Sequence, residues 1–338
     1  MGVDLGDLFE RKEIEFSNLK GKIIAIDAYN TLYQFLSIIR QRDGTPLIDS
    51  HGEITSHLSG FLYRTTNLVE EGIRPLFVFD GTPPEFKNKT IEERKKIRAN
   101  AQEKYDEAKA RGEDKEAFKH AQASSRIKGN MIEDTKLLLM YMGIPVIQAP
   151  SEGEAQASLI VMDGKAYAAG SQDYDALLFG APIVVRNLAV TGKRKLAGKS
   201  VFVEVKPELI ELEKGLELLG ISREQLVDIA LLVGTDYNDG IKGIGPKKAL
   251  KLIKKHTGIE AALLELKTQI KNLPEIKNLF LNPAVTREYE IKWKKPDPEA
   301  IMKFLCDDHD FARVRVSKAI ERLIEASDEG QKTLDRWF

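Results

Sequence analysis

The chain has 338 residues, and its 51 lysines and arginines nearly balance its 52 aspartates and glutamates, leaving a net charge of −1 at pH 7. Overall charge therefore cannot hold a polyanion, and a nucleic-acid partner would have to contact locally clustered basic residues. The single cysteine, Cys306, excludes a framework of internal disulfides, and no apolar run is long enough to span a bilayer. We therefore expect a soluble cytoplasmic protein without a membrane partner.

Two predicted strands near the beginning of the chain each end in an aspartate. Residues 23–26 form an apolar run that predicts a buried strand, with Asp27 at its end and a helix directly after it. Residues 75–79 predict a second buried strand, which ends at Asp80. Both aspartates thus occupy the position after a strand where α/β folds place their ligands.

Residues 86–130 are crowded with Lys, Arg and Glu and contain few large apolar side chains. Such a stretch cannot build a core of its own, but it is rich in helix formers, so we predict helices that project from the body of the protein. A solvated helical pair without a ligand is one interpretation. The position of this stretch directly after Asp80 favours a role beside the acids.

Two further strand-and-helix units follow between residues 145 and 180. The first strand is followed by Glu152 and Glu154, and the second by Asp173 and Asp175. Because parallel strands end at the same edge of a sheet, we expect these acids to gather with the first two aspartates. A site of carboxylates without Cys or His suits a hard cation such as Mg²⁺ or Mn²⁺. For Glu154 alone, a capping box with Ser151 is an equally good structural interpretation.

Residues 182–186 and 201–205 predict two more strands joined by a basic, hairpin-like loop, and the pattern from residue 207 onward is helical.

A glycine turn at residues 243–246 lies between two predicted helices. Gly243 and Gly245 would let backbone N–H groups approach a phosphate, and Lys247 and Lys248 open a helix whose N-terminus adds partial positive charge. This pattern predicts a sequence-independent grip on a nucleic-acid backbone, with a purely structural helix-turn-helix as the alternative. Asp236, just upstream, adds a seventh acid.

The terminal segment SDEGQKTLDRWF carries the spacing Q-x-x-L-x-x-aromatic-aromatic. This spacing comprises Gln331, Leu334, Trp337 and Phe338. Large apolar groups on a polar tail are costly unless something receives them, and a one-turn helix would present them to a pocket on another protein. The alternative is a tail that packs on its own domain.

With these motifs in this order, the chain resembles the flap endonucleases of the XPG-type structure-specific 5′-nuclease family over nearly its whole length. The resemblance rests on Asp27, Asp80 and the segments EGEAQA, SQDYDALLFG and GTDYNDGIKGIGPKKA. It implies an α/β fold with a central, mostly parallel sheet flanked by helices (PIN/5′-nuclease-like), a helical arch and a helix–hairpin–helix DNA-binding element. The ending at Phe338, without a basic or nuclear-targeting extension, resembles archaeal members.

The resemblance also implies a division of the chain. A single nuclease domain would span residues 1–325, with the arch at 84–130 and the helix–hairpin–helix at 226–256. Residues 326–338 would form a tail that binds a sliding clamp.

Roles for individual residues follow from the same resemblance. The family's first metal group falls on Asp27, Asp80, Glu152 and Glu154, and its second on Asp173, Asp175 and Asp236. Its catalytic lysine and arginine fall on Lys87 and Arg94. Its DNA contacts fall on Gly2 beside the active site, on Tyr33 as a base-stacking ring, and on Gly243, Gly245, Lys247 and Lys248. Its clamp-binding box falls on Gln331, Leu334, Trp337 and Phe338.

The implied activity is hydrolysis of DNA phosphodiesters at 5′ flaps, with 5′–3′ exonuclease activity, in Okazaki fragment maturation and repair. Two Mg²⁺ ions per subunit would serve, with Mn²⁺ able to substitute and K⁺ at the helix–hairpin–helix. The expected partners of a monomeric enzyme are branched DNA (5′ flap, nicked or gapped duplex) and the replication sliding clamp, PCNA.

Two alternatives remain open at this point. One is a non-catalytic junction-binding protein that recruits the clamp, although uncompensated acids beside DNA would repel phosphate. The other is a 5′ exonuclease or Holliday-junction resolvase of the same family.

Overall fold

The computed structural model describes residues 2–127, 129–189, 192–195 and 202–334. The strands in these ranges are β1 (Lys12–Glu13), β2 (Ile23–Asp27), β3 (Arg74–Phe79), β4 (Val146–Gln148), β5 (Ala168–Gly170), β6 (Ile183–Arg186), β7 (Gly192–Lys195), β8 (Phe202–Val205) and β9 (Glu208–Glu211). The α-helices are α1 (Ala28–Ile38), α2 (Ser56–Glu70), α3 (Asn88–Ala110), α4 (Asp114–Ala123), α5 (Gly129–Tyr141), α6 (Gly153–Met162), α7 (Asp175–Leu178), α8 (Leu212–Leu219), α9 (Arg223–Val233), α10 (Pro246–His256), α11 (Ile259–Glu265), α12 (Leu273–Leu281), α13 (Pro298–Met302) and α14 (Arg313–Leu334).

Seven of the described strands form one mixed sheet in the order β1-β9-β6-β5-β2-β3-β4. The five strands from β6 to β4 are parallel neighbours. Strand β9 pairs antiparallel with β6, and β1 pairs antiparallel with β9. Strands β7 and β8 form a separate antiparallel pair. The prediction of an α/β fold with a mostly parallel central sheet is confirmed.

Helices cover both faces of this sheet. On one face, α1, α2, α5, α13 and α14 pack around a core that contains Phe35, Phe61 and Phe77. On the other face, α6, α7 and α9 to α12 pack around a core that contains Phe179 and Phe280. Strands β2 and β3 are continuous apolar runs because a parallel sheet between two helical layers is buried on both sides. In the described ranges, no helix has the length and apolar character that crossing a membrane requires.

The charged stretch between β3 and β4 forms two long helices, α3 and α4, as the composition predicts. The expectation that this stretch cannot build a core of its own is wrong, because the two helices pack against each other around a small core of one tyrosine and three alanines, Tyr105, Ala108, Ala117 and Ala121. Helix α3 begins directly after a short 3-10 turn at Glu85–Lys87, close to the end of β3. The base of this helical pair is therefore anchored at the edge of the sheet where the strands end.

The segment after Pro207 corrects the prediction of continuous helix. Residues Glu208–Glu211 form strand β9, and helix α8 begins only at Leu212. Ile210 is 1% exposed because β9 pairs with β6 and buries this side chain in the core. The apolar residues of this segment have a helix-like spacing, but the pairing of β9 with β6 makes the segment a strand. Strand β1 is also new, since two residues give no periodic signal.

Candidate active site

The parallel strands bring acids from four neighbouring positions to one edge of the sheet. Strand β2 ends at Asp27, and Asp80, Glu152 and Asp173 follow the ends of β3, β4 and β5. In the sheet these strands lie in the order β5-β2-β3-β4, so the acids form a row. The sequence prediction that the strand-end acids gather at one edge therefore agrees with the geometry.

Asp27 and Asp80 are held by backbone groups and are both deprived of water. Asp27 Oδ1 accepts the N–H of Asn30 at 3.0 Å, and Asp80 Oδ1 accepts the N–H of Gly153 at 2.7 Å. Burial and then repulsion by the Glu152 carboxylate raise the pKa of Asp80 to about 6. Burial and repulsion by Asp80 raise the pKa of Asp27 well above its ordinary value. Burial and mutual repulsion thus disfavour the charged form of both carboxyl groups.

Glu154 and Asp175 form the second half of the same cluster. Glu154 accepts the hydroxyl of Ser171 at 2.5 Å, and burial followed by repulsion from Asp175 raises its pKa well above the ordinary value. Asp175 accepts the N–H of Val3 at 2.9 Å, and burial followed by repulsion from Asp236 raises its pKa to about 7. The four strongly perturbed carboxyl groups thus repel one another across a single site.

The capping-box interpretation of Glu154 is wrong. Helix α6 begins at Gly153 with Glu152 as its N-cap, and no side chain caps it. Glu154 contacts Ser171 instead, whose hydroxyl also accepts the N–H of Asp173 at 3.1 Å. The acid therefore points into the cluster and does not stabilise its own helix.

Two basic side chains from the base of α3 reach the acids. Lys87 Nζ lies 2.6 Å from Glu152 Oε2, and Arg94 donates to Asp236 Oδ1 at 2.5 Å. Burial alone would lower the pKa of Lys87, but the Glu152 carboxylate outweighs this and raises it. Both basic residues named from the sequence therefore contact the acid cluster.

The carboxylates of the cluster have the chemistry that hard divalent cations prefer, but the present positions of their side chains do not form a metal site. Its members offer carboxylate oxygens only, which Mg²⁺ and Mn²⁺ prefer. As the side chains stand, no three acidic, histidine or cysteine side chains in the described chain surround one point closely enough to hold a metal ion. Glu152 and Asp236 are engaged by Lys87 and Arg94. A cation bound by either of these two carboxylates would therefore compete with its ion pair.

Gly2 lies beside this cluster, and Tyr33 lies on the helix that follows Asp27. A Cβ on Gly2 would lie 2.3 Å from Asp175 Oδ1, so only glycine permits the chain to pass this close to the acid. Tyr33 lies on α1, and the guanidinium of Arg98 stacks 4.9 Å from the centre of its ring. The ring is partly exposed and can receive a planar group on a face.

The glycine turn before α10 has the open geometry that phosphate approach needs. Gly243 has a φ of +83°, and a Cβ on either Gly243 or Gly245 would meet no atom within 4 Å. Gly245 is the N-cap of α10. Lys248 Nζ donates to the Gly243 carbonyl at 3.0 Å, whereas Lys247 is mainly exposed and pairs with Asp7 at 3.2 Å.

The terminal motif lies largely outside the described residues. Trp337 and Phe338 are beyond them, and Gln331 and Leu334 belong to α14 without described side chains. The helical backbone of α14 therefore includes the first part of the segment named as a tail.

Three polar residues at the site were not identified from the sequence. Asn30 donates through Nδ2 to Asp173 Oδ2 at 3.0 Å, Ser171 donates to Glu154, and Thr90 donates to the backbone carbonyl of Asp236 at 2.6 Å. Asn30 and Ser171 follow the same strands as the acids, so their position carried a usable signal. Thr90 and its partner are 146 residues apart, and no local pattern connects them.

Both the sequence and the structure of this chain are similar to those of known proteins. Residues 5–101 match the model of the XPG N-terminal domain, and residues 143–236 match that of the XPG I-region. The chain is 59% identical to Flap endonuclease 1 of Archaeoglobus fulgidus and 58% identical to that of Methanosarcina acetivorans, with both comparisons covering 100% of each chain. Among solved structures it is similar to flap endonuclease-1 from Methanococcus jannaschii, with a TM-score of 0.77 and 46% identity over 96% of this chain and 98% of that one. The two matched regions contain all seven acids.

Proposed function

Because this chain belongs to the XPG family and is one of its structure-specific flap endonucleases, we propose that its seven carboxylates form the centre that hydrolyses a phosphodiester at a 5′-flap junction. The observation that carries this proposal is the crowding of buried acids at one sheet edge, with the pKa of Asp80 at about 6 and that of Asp175 at about 7. A fold that only had to bind DNA would gain nothing from this repulsion. Replication and repair are the processes that fit the family.

The family's nucleases are metal-dependent, and we assign the acids of this chain to two Mg²⁺ ions, with Mn²⁺ as a substitute. Asp27, Asp80, Glu152 and Glu154 would hold the first ion. Asp173, Asp175 and Asp236 would hold the second, with Glu154 near both. When bound, such ions lower the pKa of a water ligand and stabilise charge on the phosphate and leaving oxygen.

The basic groups of α3 complete the electrostatics of the centre. Lys87 and Arg94 flank the acids, so their charges can face the phosphate oxygens that become more negative as the bond breaks. Gly2 allows the N-terminal segment to lie against Asp175 and to exclude water there. The ring of Tyr33 offers a face on which the base next to the scissile phosphate can stack.

Duplex DNA would be held away from the reaction centre, at the turn before α10. Gly243 and Gly245 leave backbone N–H groups open to a phosphate, and Lys247 and Lys248 contribute positive charge at the helix N-terminus. A K⁺ ion at this turn is part of the same proposal. Recognition would depend on the shape of a branched duplex, since phosphate contacts carry no sequence information.

The remaining parts of the proposal concern organisation. One nuclease domain (1–325) would carry the arch (84–130) and the helix–hairpin–helix (226–256), and a tail (326–338) would bind the sliding clamp. The enzyme would act as a monomer in the cytoplasm, where chromosomal DNA is replicated. It would also degrade nicked or gapped duplexes as a 5′–3′ exonuclease.

A cleavage assay on matched substrates tests this function. Duplexes of the same sequence would carry a 5′ flap, a nick, a gap or a four-way junction, and each would be incubated with Mg²⁺ or with chelator. We expect the 5′ flap to be cut fastest and only with the metal, and Asp175→Ala to cut none of them. Preferred resolution of the four-way junction would indicate a resolvase, and binding without cleavage would indicate a non-catalytic junction protein.

A further inference from the structure

The base of helix α3 is fastened to the acid cluster along one helical face. Lys87, Thr90 and Arg94 are separated by three and then four residues, a spacing that places side chains on the same side of a helix. Lys87 contacts Glu152, and Arg94 contacts the carboxylate of Asp236. Thr90 donates its hydroxyl to the main-chain carbonyl of Asp236 at 2.6 Å. Three consecutive polar contacts thus hold the base of α3 on the acids.

Of these three contacts, only the one from Thr90 uses no charge. Its acceptor is a backbone oxygen, so the contact does not involve the carboxylate of Asp236. A change at Thr90 can therefore loosen the base of α3 without removing an acid, Lys87 or Arg94. The hydroxyl is a positioning group for the two cationic side chains on either side of it.

The two ion pairs engage acids that the proposed function assigns to divalent cations, one from each metal group. A divalent ion at these carboxylates would repel an ammonium or guanidinium group a few ångströms away, because like charges disfavour each other most strongly where water is excluded. The docked arrangement of α3 and the cation-loaded arrangement of the acids therefore compete for Glu152 and Asp236.

We propose that Thr90 positions the base of the arch on the acid cluster, and that binding of divalent cations undocks this base and frees Lys87 and Arg94 to face the DNA phosphate. Cation loading and arch position are then linked, and linkage is reciprocal: whatever weakens docking must tighten cation binding. The inference rests on the metal assignment proposed above.

The test uses the full-length protein without DNA and compares Thr90→Val, which keeps the shape but loses the hydroxyl, with Thr90→Ser, which keeps the hydroxyl. Mn²⁺ binding is measured by the loss of its free electron paramagnetic resonance signal. A lost hydrogen bond of ordinary strength should tighten Mn²⁺ binding by about 2- to 10-fold in Thr90→Val, and Thr90→Ser should match the wild type.

Amide hydrogen exchange over residues 88–98 supplies a second readout. In the wild type, Mg²⁺ should accelerate exchange in these first turns of α3, and Thr90→Val should exchange faster even in chelator. Equal Mn²⁺ affinity in the two variants would overturn the inference, because a merely structural hydroxyl would change exchange without changing affinity. Slower exchange with Mg²⁺ would overturn it as well. No Mn²⁺ binding by the wild type would overturn the metal assignment and this inference together.

Discussion

Asp49 and Asp175 are both almost completely buried aspartates, and the protein surrounds them differently. Asp49 accepts the N–H groups of His51 and Glu53 through Oδ1, and its Oδ2 lies 2.9 Å from His309 Nδ1. Although burial acts to raise it, the contact with His309 and the two backbone hydrogen bonds lower the pKa of Asp49. This carboxylate connects the loop before α2 to the segment before α14, and these partners favour its charged form.

Asp175 has one backbone donor and several acidic neighbours. It accepts the N–H of Val3, while Asp173 and Asp236 repel it and its pKa rises to about 7. The two aspartates are therefore buried alike, and their partners distinguish the one that stabilises the fold from the one that we propose to bind a cation. A buried carboxylate whose charge is not balanced by neighbouring groups of the protein is a candidate to bind a cation.

The largest expected difference between the two aspartates is in catalysis. We expect Asp175→Ala to reduce Mg²⁺-dependent cleavage of a saturating 5′-flap substrate by at least about 10²–10³, the usual cost of removing one group that stabilises charge at a reaction centre. Affinity for flap DNA in chelator should persist, since acids do not attract phosphate. Single-turnover cleavage and filter binding measure the two quantities.

Asp49→Ala is the matched control for that experiment. It should preserve Mg²⁺-dependent cleavage but destabilise the fold by about 1–3 kcal/mol, because His309 and two N–H groups lose their acceptor. Retained cleavage by Asp175→Ala at high Mg²⁺, or loss of Mg²⁺-dependent cleavage in folded Asp49→Ala, would contradict the distinction between the two aspartates.

A second effect concerns pH and stability in chelator. The pKa of Asp175 is raised on folding from 3.8 to about 7, so between these values the folded protein binds more protons than the unfolded chain, and its contribution to stability falls as pH rises. Asp175→Asn removes this penalty. We expect the variant to exceed the wild type in free energy of unfolding by up to roughly 4 kcal/mol at pH 8, and by almost nothing at pH 4.

Urea denaturation of both proteins at pH 4, 5, 6, 7 and 8 measures that difference. An equal difference at every pH would mean that Asp175 carries no buried charge, and the contrast with Asp49 would fail.

Six of the seven acids could be located from the sequence because they follow buried apolar strands, and a parallel sheet brings such positions together, whereas Asp236 follows helix α9. It did not show β9, because the apolar spacing around Ile210 fits a helix and only the pairing with β6 decides otherwise. It did not show Thr90 or His309 either, since their partners are 146 and 260 residues away. Patterns along the chain locate strand ends, whereas contacts between distant segments need the fold.

The third prediction separates affinity from chemistry. Lys247 and Lys248 lie in the first turn of α10, so neutralising both by alanine should weaken binding to all duplex sequences alike. The slope of log affinity against log salt should become shallower by roughly 0.9 for each lost phosphate contact. Cleavage by the saturated enzyme should not change, which is the opposite of the result for Asp175→Ala. An unchanged slope would place the grip on DNA elsewhere.

The smallest effect on the nuclease itself is expected at the C-terminus. Each large apolar side chain that a partner buries contributes about 1.5–3 kcal/mol before the cost of ordering the tail. Alanine at Trp337 and Phe338 should therefore abolish binding to a sliding clamp, measured by calorimetry, and leave clamp-free cleavage and melting temperature unchanged. A comparable loss of either would show that these residues pack on the nuclease domain.

Anomalous diffraction from crystals soaked in Mn²⁺ tests most directly the claim that the uncompensated carboxylates bind divalent cations. The account predicts anomalous peaks among Asp27, Asp80, Glu152, Glu154, Asp173, Asp175 and Asp236, accompanied by movement of Lys87 away from Glu152, and no peak at Asp49. Peaks at Asp49 or on the surface with none among the seven acids would contradict it.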